Sequence, residues 1–201
     1  ENFMRQRTLR RIRRDRPVDY FYSLKNNCHV WVESTLELDF LYWLEFDERV
    51  SAYTTQPESA DTPAGRYTPD VLVELQNGSS IYFDPHPYKY VHSKTFINKF
   101  TEKAQYIERL TGRPVRIVTE KDLNPITIGN FKTLYPYLRT EPSEVHKLLP
   151  LGNSFPTTFG DLRKQAESIG IRPFVPFALL AHSHIGFDNT VKLSDSTQLR
   201  N

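Results

Sequence analysis

Three carboxylates and an imidazole lie along this chain in an order that suits phosphate chemistry. They are Glu37 in Glu33-Ser34-Thr35-Leu36-Glu37, Asp70 in Tyr67-Thr68-Pro69-Asp70, and Asp84 with His86 in Asp84-Pro85-His86. Phosphodiester cleavage needs a divalent cation that polarises the phosphate and activates water, together with a group that holds the charge developing on the phosphoryl oxygens. Mg²⁺ prefers one or two carboxylate oxygens and keeps several waters, which suits Asp70 and Asp84, with Glu37 the acid of the preceding helix and His86 the candidate base. Each also has a structural reading. Ser34 to Glu37 fits a capping box, Pro69-Asp70 a turn or strand edge, and Asp84-Pro85-His86-Pro87 a rigid loop lacking two amide donors.

The elements that must position these residues are legible around them. Ser34 caps a helix carrying Leu36, Phe40, Leu41 and Leu44 at helical spacing up to Phe46. Two β-rich runs, 71–75 and 80–84, flank Asn77-Gly78, a dipeptide that tolerates positive φ, and predict a hairpin. That hairpin returns Asp70 and Asp84 to the same end of a sheet, with Asp84 and His86 on one face if the strand continues. Lys89 falls on the opposite side of a regular strand, unless a bulge at the prolines redirects it. A second amphipathic helix is expected over 96–110, with Phe96, Phe100, Ala104 and Ile107 on one face and Gly112 past its end, followed by a strand over 114–119. Ahead of the first helix, 19–23 and 29–32 read as two short strands or an irregular lead-in.

The character changes around 122–125, which suggests units of 18–122 and 123–201 after a basic arm of 1–17. The second unit reads as helices near 131–139, 143–149, 158–169 and 174–182 and a strand-like 190–194, a weak pattern that fits a small winged-helix module. The arm holds Arg5, Arg7, Arg10, Arg11, Arg13, Arg14 and Arg16, and without them the formal net charge of +2 would be negative. Such a block is either a solvated tail or an arm that neutralises phosphates. Cys28 is the only cysteine, which excludes an intrachain disulfide and a thiolate zinc cluster and suits a reducing cytoplasm. No apolar run approaches the roughly 20 residues needed to span a bilayer, so a soluble, cytoplasmic protein is expected.

The order of helix acid, strand acid and acid-x-base is that of PD-(D/E)xK nucleases, with His86 where lysine is usual. Ser34-Thr35-Leu36-Glu37-Leu38-Asp39-Phe40, Leu44-Glu45-Phe46-Asp47, Val50 followed by Gln56-Pro57, and Tyr67-Thr68-Pro69-Asp70 resemble the TnsA family, the endonuclease subunit of heteromeric DNA transposases. The resemblance covers about 18–122, and more loosely extends to Leu179-Leu180-Ala181-His182 and Leu193-Ser194 in the tail. It implies an α/β fold: a restriction-endonuclease-like core with a mainly helical, winged-helix-like C-terminal domain. It implies that Glu37 and Asp70 bind Mg²⁺ or Mn²⁺, with Asp84 at a position usually held by Glu or Gln. The implied activity is nicking at the 5′ ends of a transposon. The implied partners are double-stranded DNA, a transposase of the TnsB type and an ATPase regulator of the TnsC type. His86 and Pro85 depart from the pattern, so a catalytically impaired subunit kept for DNA-end binding is the alternative, and a stand-alone restriction or repair nuclease a further one.

Overall fold

The structure, a computed structural model, describes residues 19–140 and 155–200; the arginine arm and the helix expected over 143–149 lie outside them. The architecture is mixed α/β, and the chain divides into two compact units after Leu123.

The first unit opens with β1 (Asp19–Ser23) and β2 (Cys28–Val32), an antiparallel pair. Next comes α1 (Thr35–Phe46), capped by Ser34, whose hydroxyl accepts the Glu37 amide. β3 (Val50–Thr55), a short hairpin of β4 (Ala60–Thr62) and β5 (Gly65–Tyr67), β6 (Val71–Leu75) and β7 (Ser80–Pro85) follow. The chain then makes one helical turn, α2 (Tyr88–Val91), and the long α3 (Lys94–Thr111), which ends at left-handed Gly112 and leads into β8 (Val115–Val118). The main sheet has the order β3-β6-β7-β8. The first three strands are antiparallel, and β8 joins β7 in parallel. A parallel neighbour requires a crossover, which α2 and α3 supply.

The predicted hairpin forms as β6 and β7, and Gly78, at φ 82°, takes the positive-φ position of its loop. Sequence reasoning gave no strand over Val50–Thr55, although this β-branched and aromatic run is a strand signal. The three-residue strands β4 and β5 are too short to leave one.

Alternation along β7 sends Phe83 toward α1, where it packs against Phe40 with ring centroids 5.2 Å apart. Tyr82 faces the other way and joins Leu72 and Ile107 of α3 in a small apolar cluster with Tyr67 at its margin. Asp84, two residues beyond Tyr82, therefore belongs to the α3 side. A buried network closes the end of α1. Glu45 accepts from the Ser23 hydroxyl at 2.7 Å and the Tyr53 hydroxyl at 2.5 Å, so this acid is a structural acceptor.

The second unit begins with α4 (Pro125–Leu134), running into a 3-10 turn (Tyr135–Arg139), and continues with α5 (Phe159–Ser168) and α6 (Val175–Ala181). The first helix starts earlier than the 131 expected. Asn124 caps it by accepting the Ile126 and Thr127 amides, and Pro125 occupies a position where its missing N–H is harmless. A capping box of Thr158 and Asp161 opens α5. Phe159, Leu162, Val175, Ala178 and Leu179 form its buried core.

The strand-like segment 190–194 is not a strand. The side chain of Asn130 takes over the pairing a neighbouring strand would supply: its amide donates to the Asn189 and Val191 carbonyls at 2.9 and 2.8 Å, and its oxygen accepts the Leu193 amide at 2.9 Å. Thr190 bonds back to Asp188 through both its amide and its hydroxyl, a turn that ends extended pairing. The short ladder of this unit instead joins β9 (Gly186–Phe187) to β10 (Leu199–Arg200). Among the described residues, no helix is long and apolar enough to cross a membrane.

Candidate active site

The β6–β7 register determines the site. Val71 pairs with Phe83, so the next positions outward, Asp70 and Asp84, meet where β6 begins and β7 ends. Asp84, only 2% exposed, accepts the Asp70 backbone amide on Oδ1 at 2.8 Å and the Tyr67 hydroxyl on Oδ2. Asp70 is fastened from the other side. Gln56, at φ 48°, donates its side-chain amide to Asp70 Oδ1 at 2.7 Å and its backbone amide to the Asp70 carbonyl at 2.7 Å.

Electrostatics sets Asp70 apart. Burial, then the neighbouring charge of Asp84 and that of Glu37, push its carboxyl up to about 8; the Gln56 hydrogen bond opposes this, and Glu33 adds to it. Tyr67 is pushed upward as well, first by burial and then by the Asp84 charge, so it stays a phenol that donates.

Glu37 combines both of its readings. Its carboxylate accepts from the Glu33 amide at 2.9 Å and the Ser34 hydroxyl at 2.8 Å, a variant of the capping box that uses the amide one residue earlier than expected. Its charge nonetheless acts on Asp70. Among the described residues, no group of three His, Cys, Asp or Glu side chains is arranged to hold a metal ion. Asp70 and Asp84 are thus the paired carboxylates, with Glu37 contributing charge from the helix end.

Pro85 stays in the sheet, in register with Val118, and the ladder resumes one residue on with the His86 amide donating to Val118 at 2.8 Å. His86 Nε2 stands 3.6 Å from Asp84 Oδ2, farther than a hydrogen bond, and its ring meets Phe96 edge-on at 5.0 Å. After Pro87 the chain turns helical. Lys89 consequently lines the same cleft as Asp70, Asp84 and His86, instead of facing away as a regular strand requires, and it does so through α2 and not through a bulge.

No protein-family model matches the chain, and no curated protein matches it at a significant level.

The cleft itself, about 600 Å³, has an acidic floor and a basic wall. Lys99 and Lys103, one turn apart on α3, join Lys89 along it, and the Lys103 ammonium sits 5.5 Å from the centre of the Tyr67 ring. Sequence reasoning named Tyr67 and Gln56 only as flanks of the acidic pattern, and it passed over Lys99 and Lys103. Their i, i+4 spacing on a helix with an apolar face was the available signal.

Tyr67 is a specific test of how Asp84 is held. A Tyr67→Phe protein removes a donor from a buried carboxylate and is expected to lose about 2 kcal/mol in urea unfolding. Added Mg²⁺ should then raise its midpoint more than it raises that of the parent. An unchanged midpoint and an unchanged response to Mg²⁺ would show that the contact carries neither stability nor control of Asp84.

Proposed function

We propose that the protein is a TnsA-like endonuclease subunit that nicks the 5′ ends of a transposon in a divalent-cation-dependent reaction. The observation that carries this reading is the convergence of Asp70 and Asp84 at one end of the β6–β7 pair, beneath a wall bearing Lys89, Lys99 and Lys103. The order of helix, hairpin, crossover helix and parallel strand supports a restriction-endonuclease-like core. The helices of the second unit with the β9–β10 ladder support a winged-helix-like domain, whose partner by the same resemblance is an ATPase regulator of the TnsC type.

The donor set fits a hard cation: two carboxylates, whose mutual repulsion such an ion offsets, with phosphate oxygens and water to complete the shell. Asp70 and Asp84 would hold it. A bound Mg²⁺ or Mn²⁺ supplies Lewis-acid polarisation of the phosphate and an activated water.

The remaining steps belong to side chains of this chain. Lys89, Lys99 and Lys103 bind non-bridging phosphate oxygens as charge builds on them. His86 Nε2, beside Asp84, accepts a proton from the attacking water or, protonated, donates to a phosphoryl oxygen. Gln56 and Tyr67 hold the two carboxylates in orientation and exchange no proton with the substrate.

Both Asp84 oxygens already accept hydrogen bonds, which favours a second reading, a catalytically impaired subunit acting in DNA-end binding and assembly. A nicking assay on duplexes carrying the element's ends, with the transposase and ATPase partners and Mg²⁺ or Mn²⁺, separates the two. The parent is expected to nick, and His86→Lys to nick at least as fast. A parent inert with either cation, alongside a His86→Lys protein that cuts, would establish the impaired reading. An Asp70→Ala protein that cuts as well as the parent would sink the endonuclease reading.

A further inference from the structure

We propose that the cleft above Asp70 and Asp84 takes an unpaired DNA strand in preference to a closed duplex. The choice of DNA rests on the endonuclease reading; the preference for an unpaired strand rests on the wall of the cleft. Along α3, Phe96, Lys99, Phe100 and Lys103 follow one another at helical spacing, so aromatic and cationic side chains share one face. Tyr90 of α2 extends the same wall beside Lys89.

These rings are not consumed by the core. Ile107 is the buried residue of α3, while Phe96 and Phe100 remain half-buried. Their rings lie nearly parallel, 5° apart in plane with centroids at 5.8 Å. Tyr90 is 54% exposed, and the Lys89 ammonium lies 4.7 Å from its ring centre.

Lysines alone would serve any nucleic acid, since a duplex presents phosphates throughout. Exposed aromatic faces serve only bases whose own faces are open, because in a closed duplex each base is covered by its neighbours. Interleaved lysines and aromatic rings are the pattern of single-strand binding, with phosphates on the cations and bases on the rings. The strand then reaches the acidic floor with one phosphate beside Asp70, Asp84 and His86. A DNA end frayed or opened by partner proteins would present such a strand.

The test is fluorescence anisotropy with the full chain in EDTA at fixed salt. It compares a labelled DNA single strand, a forked duplex and a blunt duplex of the same sequence. Single-stranded and forked DNA should bind at least about tenfold tighter than the blunt duplex. Tyr90→Ala should remove about tenfold of that affinity, and Tyr90→Trp should keep it, since stacking on one ring is worth about fivefold or more. Lys99→Gln should reduce the salt slope on the single strand by about 0.7. Equal affinity for the blunt duplex, or a Tyr90→Ala protein that binds like the parent, overturns the proposal; tighter binding of RNA than of DNA overturns the assignment to DNA. A protein that binds forked DNA through Tyr90 and never nicks would end the endonuclease reading and leave this one standing. One that nicks closed and forked duplexes equally, with or without Tyr90, would do the reverse.

Discussion

An Asp70→Asn protein is expected to be more stable than the parent at neutral pH and to lose nicking by about three orders of magnitude. The activity loss is on the scale of removing one preorganised electrostatic group from a reacting phosphate. The stability gain follows from the environment of Asp70, which burial and the charges of Asp84 and Glu37 raise to about 8 from an ordinary 3.8. Because the folded-state value is the higher one, its contribution is complete below about pH 4, where both states are protonated. Between about pH 4 and 8 the unfolded chain releases a proton that the native state keeps, so stability falls as pH rises and levels off above 8. Asparagine has no proton to lose, and its side-chain oxygen still accepts from Gln56.

Chemical denaturation of metal-free protein across this pH range should therefore give a declining parent and a flatter variant. The gap near pH 8 should be on the order of a few kcal/mol. Mg²⁺ should raise the parent's midpoint and leave the variant's nearly unchanged. A variant that is less stable than the parent at pH 7 and indifferent to pH would show that Asp70 is a structural acid, and the site reading would fall with it.

Asn130→Ala should unfold the second unit selectively. One side chain bonds three backbone groups of 189–193, a segment with no strand neighbour along that stretch. Truncation leaves the Val191 carbonyl and the Leu193 amide without their partners in a part-buried setting, at about 1 kcal/mol or more for each, while the Asn189 carbonyl keeps the Thr127 hydroxyl at 3.1 Å. A total of about 2 kcal/mol is a large share of the stability of so small a unit. Limited proteolysis should cut the variant in 186–200 under conditions that leave the parent intact. The β6–β7 hairpin should keep its amide protection, since the change is confined to the other unit. A parent-like digestion pattern would mean that the Thr190–Asp188 turn and the Thr127 hydroxyl hold the segment without Asn130.

Pro85 and His86 concentrate the question of activity. A proline in β7 removes one amide from the ladder, yet the sheet tolerates it at the strand end because the His86 amide takes the next bond to Val118. Pro87 then stops the strand and starts α2, and this turns Lys89 into the cleft. A lysine three residues past His86 is on the wrong side of a strand and on the right side of a strand followed by a helical turn.

By itself the sequence determined the local elements whose cause is local. Ser34 caps α1, Asn77-Gly78 turns the β6–β7 hairpin, Gly112 ends α3 and Thr158 opens α5, each through a side chain or a φ preference acting within a few residues. The joining of Asp70 to Asp84 was legible for the same reason, because a hairpin register follows from its turn. Only the tertiary structure decided what depends on distant partners. Segment 190–194 looked like a strand until Asn130, some sixty residues earlier, supplied its hydrogen bonds. The raised carboxyl of Asp70 needed the burial that the fold imposes and the charge of Glu37 brought in from another element. The lysine wall required α2 and α3 to lie over the end of the sheet. Hydrogen-bonding habit and turn geometry act over a few residues, whereas burial and charge act through space, and only the folded chain says which residues share it.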